Sequence, residues 1–160
     1  MNEIEERVGN GVFCEIEKGK WKGIDVAIKI IKNQKINSKE IEELKNEMII
    51  HQNLKSEFIV EYYEGNLNPS NEILIVMELS PFGNCFDLIH KIKHQISNIS
   101  NQLISSMIFD ISRGMNYLHS NNIYHLDLKS SNLLLFDGLK VKICDFGLNQ
   151  IKNQNNSSNN

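Results

Sequence analysis

Nowhere does the sequence approach the roughly 20 consecutive apolar residues that a bilayer span requires. Met1 is followed by Asn2, Glu3 and Glu5, where a secretion signal would show a basic start and an apolar run. Charge of one sign is also lacking. Lys and Arg total 17 against 20 Asp and Glu, a formal net charge of -3 with no long single-sign block, so nothing electrostatic draws the chain to DNA, RNA or an anionic membrane. Paired cysteines are missing too. Cys14, Cys85 and Cys144 stand apart, an odd number without the short spacings of a zinc site, and read as free thiols in a reducing compartment. These absences lead us to expect a soluble, intracellular, cytoplasmic protein with neither a nucleic-acid nor a membrane partner.

What is present suffices for a core: 41% of the 160 residues are hydrophobic. From Val8 to Lys32 apolar segments alternate with Gly-bearing turns, which predicts three antiparallel strands broken near Gly9–Gly11 and Lys22–Gly23. Asn37-Ser38-Lys39-Glu40 has the form of a capping box, and Ile41, Leu44 and Met48 follow at helical spacing, predicting a helix from about Ser38 to Leu54. Ile59–Tyr63 and Glu72–Leu79 read as two further strands around an Asn-Pro-Ser-Asn turn at Asn68–Asn71. After Pro81-Phe82-Gly83 the pattern turns helical. Leu103, Met107, Ile111, Met115 and Leu118 form one apolar stripe with Ile104 and Ile108 beside it, the mark of a helix meant for burial. Short apolar runs at Leu133–Leu135 and Val141–Ile143 flank Phe136-Asp137-Gly138 and predict a small hairpin. The expected organisation is an amino-terminal lobe over 1–79, a mainly helical lobe over 80–148, and a disordered tail over 149–160 rich in Asn, Gln, Ser and Lys.

Several residues carry chemistry. Gly9-Asn10-Gly11 read alone is a tight turn. Eighteen positions after Gly11, Lys29 sits in the apolar strand Val26-Ala27-Ile28-Lys29, where an unpaired ammonium would be costly, so it needs phosphate oxygens or a carboxylate. The capped helix can supply a carboxylate at Glu47, beside Met48, although taken alone Glu47 reads as a solvated surface residue. The most informative segment is His125-Leu126-Asp127-Leu128-Lys129-Ser130-Ser131-Asn132, followed by Asp145-Phe146-Gly147. Two carboxylates, an amide and a lysine on loops among apolar runs have the composition of a metal-phosphate site.

Gly-x-Gly, Val-Ala-Ile-Lys, a helical Glu, His-x-Asp-Leu-Lys-x-x-Asn and Asp-Phe-Gly in this order resemble a eukaryotic protein kinase domain, and the match runs from about Ile4 to Leu148. Lys20-Trp21-Lys22-Gly23 before Val-Ala-Ile-Lys, and Asp-Leu-Lys-Ser-Ser-Asn-Leu-Leu, are similar to the tyrosine-kinase-like branch of serine/threonine kinases. The resemblance implies an α+β, kinase-like fold: a five-stranded amino-terminal lobe with one helix, then a mainly helical carboxy-terminal lobe. It also implies ATP and Mg2+ as cofactors. Val8, Gly9, Asn10, Gly11, Val12, Phe13 and Cys14 would cover the phosphates, and Ile16, Ala27 and Leu134 would enclose the adenine. Lys29 would hold phosphates and pair with Glu47. Met77 would stand behind the adenine, with Glu78, Leu79 and Ser80 as the hinge. Asp127 would orient the acceptor hydroxyl, Lys129 would neutralise phosphoryl charge and favour serine/threonine substrates, and Asn132 with Asp145 would hold magnesium.

The pattern departs from the family at identifiable places. Cys14 stands where a third glycine is expected, adding a side chain at a close backbone approach. Leu126 replaces the Arg that pairs with a phosphorylated activation loop. Ser56 replaces the usual His after the helix. His51 occupies a position where an apolar residue stacks between Tyr62 and Phe146, which predicts a looser active arrangement. Family domains run to roughly 250 residues, so the resemblance implies that the carboxy-terminal lobe is incomplete here. Two readings follow: a serine/threonine kinase acting on a protein substrate, or a truncated kinase-like binding module that holds nucleotide or a protein partner covering the exposed lower lobe.

Overall fold

The computed structural model describes residues 3–10, 14–31, 38–67, 72–91, 100–145 and 150–151. They form two compact units: Met1–Lys55 with Ile59–Pro81, and Ser56–Phe58 with Phe82–Asn160. Ser56–Phe58, placed by sequence in the first lobe, belongs to the second unit.

In the first unit, β1 (Glu3–Asn10), β2 (Cys14–Trp21) and β3 (Ile24–Ile31) are consecutive antiparallel strands. Lys22 (φ 48°) and Gly23 (φ 85°) make the two-residue β2–β3 turn, both in the left-handed region that matches the twist of the flanking strands. Helix α1 spans Ser38–Asn53; β4 (Tyr62–Leu67) and β5 (Ile73–Glu78) complete a sheet of order β1-β2-β3-β5-β4. Asn37, the expected cap of α1, lies outside the described residues.

Two expectations are corrected. The first strand starts at Glu3 instead of Val8, and its charged residues suit the edge of a sheet. The fourth strand lies at Tyr62–Leu67 rather than Ile59–Tyr63. Ile59 and Val60 are buried at 2% and 0% exposure ahead of that ladder, Ile59 making only an isolated bridge and Val60 lying outside any strand, so their apolarity marks burial more than ladder pairing. One face of the sheet gathers Ile31, Tyr62, Ile73 and Ile75 with Met48 of α1 and Met77. The opposite face packs Val26, Ile28, Ile30 and Val76 beneath Trp21, Tyr63 and Leu74, with the Trp21 and Tyr63 rings stacked 5.2 Å apart.

The second unit holds α2 (Cys85–Lys91), α3 (Asn101–Ser120), β6 (Ile123–Tyr124), the hairpin β7 (Leu133–Leu135) and β8 (Val141–Ile143), and β9 (Gln150–Ile151). Asn84 and Asp87 cap α2 reciprocally: Asn84 Nδ2 donates to the Asp87 carboxylate and the Asp87 amide donates to Asn84 Oδ1, each at 2.9 Å. Ser100 caps α3 by accepting from the Leu103 amide at 3.2 Å. Helix α3 lies close on β8 because Gly114 has no side chain; a Cβ there would stand 2.7 Å from Ile143 Cδ1 and 3.1 Å from the Phe58 carbonyl oxygen. The Asp110 carboxylate is buried on the same helix and accepts from the Val141 amide at 3.0 Å.

The apolar stripe of α3 is less covered than its sequence leads one to expect. Leu118 is fully buried, Leu103, Met107, Ile111 and Met115 are half-buried, and Ile104 and Ile108 are exposed at 42% and 57%. The tail expectation is corrected at two positions, since Gln150 and Ile151 pair with Tyr124 and Ile123; residues 149 and 152–160 lie outside the described residues.

Candidate functional site

The first unit contributes a sheet face. In register, Ile16 of β2 opposes Lys29 of β3, which opposes Ile75 of β5; one step along, Ala27 opposes Met77. Because side chains alternate across a strand, Ile16, Ala27, Lys29 and Met77 share one face, the face on which Met48 of α1 packs. Ala27 is buried, and Ile16, Lys29 and Met77 are half-buried. Val8, Gly9 and Asn10 lie in β1, with Gly9 opposite Ile16, and Cys14 opens β2. Gly11, Val12 and Phe13 lie outside the described residues, as do Phe146 and Gly147. Glu47 is placed on α1 next to Met48 as expected, but its side chain is outside what the structure describes. Glu78 ends β5; its amide donates to the Glu61 carbonyl at 2.9 Å and its carboxylate accepts from the Glu61 amide at 3.2 Å. Leu79 follows it, half-buried, while Leu134 belongs to β7 of the second unit and bridges to Asn84.

His51, whose expected stacking neighbour Phe146 lies outside the described residues, is held by contacts within the first unit. It is 6% exposed, its ring is tilted against Tyr62 at 5.5 Å, and Nε2 lies 2.8 Å from the Val60 carbonyl oxygen, a directional bond in place of apolar packing. Ser56 accepts from the Phe58 amide at 3.3 Å and so shapes the turn in which it stands.

The second unit contributes the loop from His125 to Asn132. His125 is 1% exposed, and its Nε2 lies 2.9 Å from the Cys144 carbonyl oxygen, which can only accept. Nε2 therefore carries the proton, and Nδ1 is left as an acceptor for the Asp127 amide at 3.3 Å. The same amide donates to the His125 carbonyl at 2.8 Å, closing a three-residue turn whose centre, Leu126, has φ 59°. A leucine in the left-handed region, 57% exposed, is strain held by its surroundings, and such strain collects at functional sites.

The turn presents Asp127. Lys129 Nζ reaches Asp127 Oδ2 at 2.5 Å, and Asn132 Nδ2 donates to the Asp127 carbonyl at 2.9 Å and to Oδ2 at 3.3 Å. The hydrogen bond from Lys129 is the main reason that the Asp127 carboxyl is held below the usual carboxylate range, and the same bond holds Lys129 above the usual lysine range. Asp145 adds to the Lys129 shift through its charge. Asn132 is buried, and its own carbonyl accepts from the Cys144 amide at 3.0 Å, so it is braced from both sides. Asp145 itself is exposed with φ 63°.

These residues fit a hard divalent cation. Both Asn132 amide-hydrogen contacts run to Asp127, which directs Nδ2 that way and leaves the carboxamide oxygen as the ligand atom, and Asp145 offers a carboxylate. Among the described residues no group of three or more His, Cys, Asp or Glu could hold a metal. Sequence reasoning gave His125 no role and passed over Asp110. The signal for Asp110 was an acid inside the apolar stripe, between Met107 and Ile111.

No helix among the described residues is long and apolar enough to cross a membrane. The family model described as protein kinase domain matches residues 2–160. A protein of Dictyostelium discoideum named "Probable serine/threonine-protein kinase" is 41% identical over 150 residues, 91% of this chain and 11% of that protein. The serine/threonine-protein kinase CTR1 of Arabidopsis thaliana is 36% identical over 151 residues, 93% of this chain and 18% of its own length. STY17 of the same plant, also named a serine/threonine-protein kinase, is 34% identical over 151 residues, 94% of this chain and 26% of its own length. The chain thus spans between 11% and 26% of these relatives.

Proposed function

This chain belongs to the protein kinase domain family, and we propose that it is an ATP- and magnesium-dependent serine/threonine kinase that transfers the γ-phosphoryl of ATP to a protein hydroxyl. The observation that carries the reading is the geometry at Asp127: a carboxylate kept ionised by Lys129 at 2.5 Å and steadied by Asn132 at 3.3 Å. As an acceptor-only group at ordinary pH, Asp127 orients the substrate hydroxyl and takes its proton. Lys129, charged throughout, offsets negative charge on the transferred group. Asn132 and Asp145 would hold magnesium, which would supply positive charge against the phosphate oxygens. On the first unit, Lys29 holds phosphate from the face that it shares with Ile16 and Ala27, whose apolar surfaces receive the adenine. The test is phosphoryl transfer from labelled ATP to a generic serine/threonine substrate by the purified chain, with Asp127→Asn as the control; nucleotide binding without transfer would sink the kinase reading.

A second reading has an observation of its own. Ile104, Ile108 and Phe109 stand 42%, 57% and 56% exposed along α3, a large apolar display for a helix surface. It favours a kinase-like module that holds nucleotide and a protein partner on that helix without catalysis. Binding of Mg-ATP with no turnover, in a sample whose α3 amides are protected only when a partner is added, would support it.

A further inference from the structure

Among the described residues of the first unit, His51 is a buried titratable side chain with no part in the reaction proposed above. It stands in the last turn of α1, four residues after Glu47, and is 6% exposed. Its Nε2 lies 2.8 Å from the carbonyl oxygen of Val60, a residue with no exposed surface that enters β4. A carbonyl accepts only, so Nε2 is protonated and donates. The ring also leans on Tyr62, the first residue of β4, with centroids 5.5 Å apart and planes at 57°. Directly after it, the Leu54 amide donates to the His51 carbonyl at 3.1 Å and Leu54 is buried, so the chain leaving the helix is fixed as well. Met48, one turn before His51, packs on the opposite end of the same strand, close to Gly65 and among Ile31, Ile73 and Ile75.

We propose that His51 is a positioning residue: its imidazole N–H, given to the Val60 carbonyl, fixes the rotation of α1 on β4 and with it the backbone position of Glu47. Apolar packing alone tolerates small rotations of a helix, because dispersion has no preferred direction. A buried hydrogen bond does not, because it weakens steeply with angle and its loss leaves both partners without water. Met48 supplies the area of contact, and His51 supplies the angle.

The functional half of this inference rests on the kinase reading; the structural half does not. In the wild-type chain, long-range nitrogen–proton spectra of the imidazole should show Nε2 protonated. A ring protonated only on Nδ1 would overturn the proposal without any variant. His51→Leu keeps the bulk and removes the donor, whereas His51→Gln places an amide N–H near the position of Nε2. Amide exchange across residues 42–53, measured without nucleotide, should quicken about tenfold in His51→Leu and stay within about twofold of wild type in His51→Gln. Dissociation constants for Mg-ATP should follow the same order, about five- to tenfold weaker for Leu and near wild type for Gln. Equal behaviour of Leu and wild type, or Gln as poor as Leu, would refute the latch. If the wild-type chain binds no Mg-ATP, the nucleotide reading fails, and the exchange data still decide whether His51 holds α1.

Discussion

His125 donates from Nε2 to the carbonyl of Cys144 at 2.9 Å, across 19 positions of sequence, and so ties the loop that presents Asp127 to the residue preceding Asp145. Through its other nitrogen the same ring receives the Asp127 amide at 3.3 Å. The Asp127 loop and the segment that leads to Asp145 are in this way registered on one buried imidazole.

Replacing that ring should therefore be costly. His125→Leu leaves the Cys144 carbonyl without its ring donor, while the Asp127 amide keeps its bond to the residue-125 carbonyl, and a buried polar group that loses its partner costs about 1–3 kcal/mol. A loss of about 1–3 kcal/mol in urea-induced unfolding of the chain is expected, and a change under about 0.5 kcal/mol would mean that His125 does not bear on the loop.

Lys29→Met should abolish the thermal stabilisation that Mg-ATP produces. At 100 times its dissociation constant a ligand adds about 2.7 kcal/mol, enough to read as a clear rise in melting temperature. An undiminished shift in Lys29→Met would remove Lys29 from the nucleotide site.

Asp127→Asn should lower the transfer rate by roughly 10²-fold or more, since the amide cannot take the hydroxyl proton. The pH dependence follows from the partner. Lys129 depresses the folded pKa of Asp127 below its unfolded value, so the stability that the pair contributes is present above the unfolded carboxylate value and is lost as pH falls through the folded one. Carbon-detected titration should show Asp127 ionised through the usual carboxylate range. In Lys129→Met the midpoint should move up toward ordinary aspartate, and an unmoved midpoint would deny the pairing.

Gly114→Ala should destabilise the second unit by about 1–3 kcal/mol, as overpacking does. The new methyl would meet Ile143 Cδ1 at 2.7 Å, which can give way, and the Phe58 backbone oxygen at 3.1 Å, which cannot do so cheaply. Faster amide exchange in α3 and β8 should accompany the loss; equal stability would show that α3 can slide on β8.

Leu126→Gly should stabilise the chain by up to about 1 kcal/mol, because glycine adopts φ 59° without the cost leucine bears, and the exposed leucine forfeits little burial. Chemical denaturation would read the gain. A net loss would mean that the Leu126 side chain makes contacts worth more than the strain.

Much of this molecule was legible before any coordinates. The two-residue turn at Lys22-Gly23, the helix from Ser38 and the hairpin about Gly138 all lie where local pattern put them, because turn chemistry and hydrophobic period act over a few residues. The apolar strand around Lys29 was plain as well, and the motif order picked out Asp127, Asn132 and Asp145. Pattern failed where burial and pairing part company. Ile59 and Val60 are as apolar as any strand residues, yet the ladder begins at Tyr62, and Gln150–Ile151 pairs although its neighbourhood reads as a polar tail.

The sequence by itself determined which residues are chemically able to act and which face of each element they occupy, since both depend on residue type and period alone. Only the tertiary structure decided who answers whom: His51 with Val60, His125 with Cys144, Asp110 with Val141, the missing Cβ of Gly114 against Ile143. Those pairings join residues that are mostly distant in sequence. Periodicity says that a side chain is inward, whereas hydrogen-bond directionality and close packing, which act only once the elements meet, choose the partner.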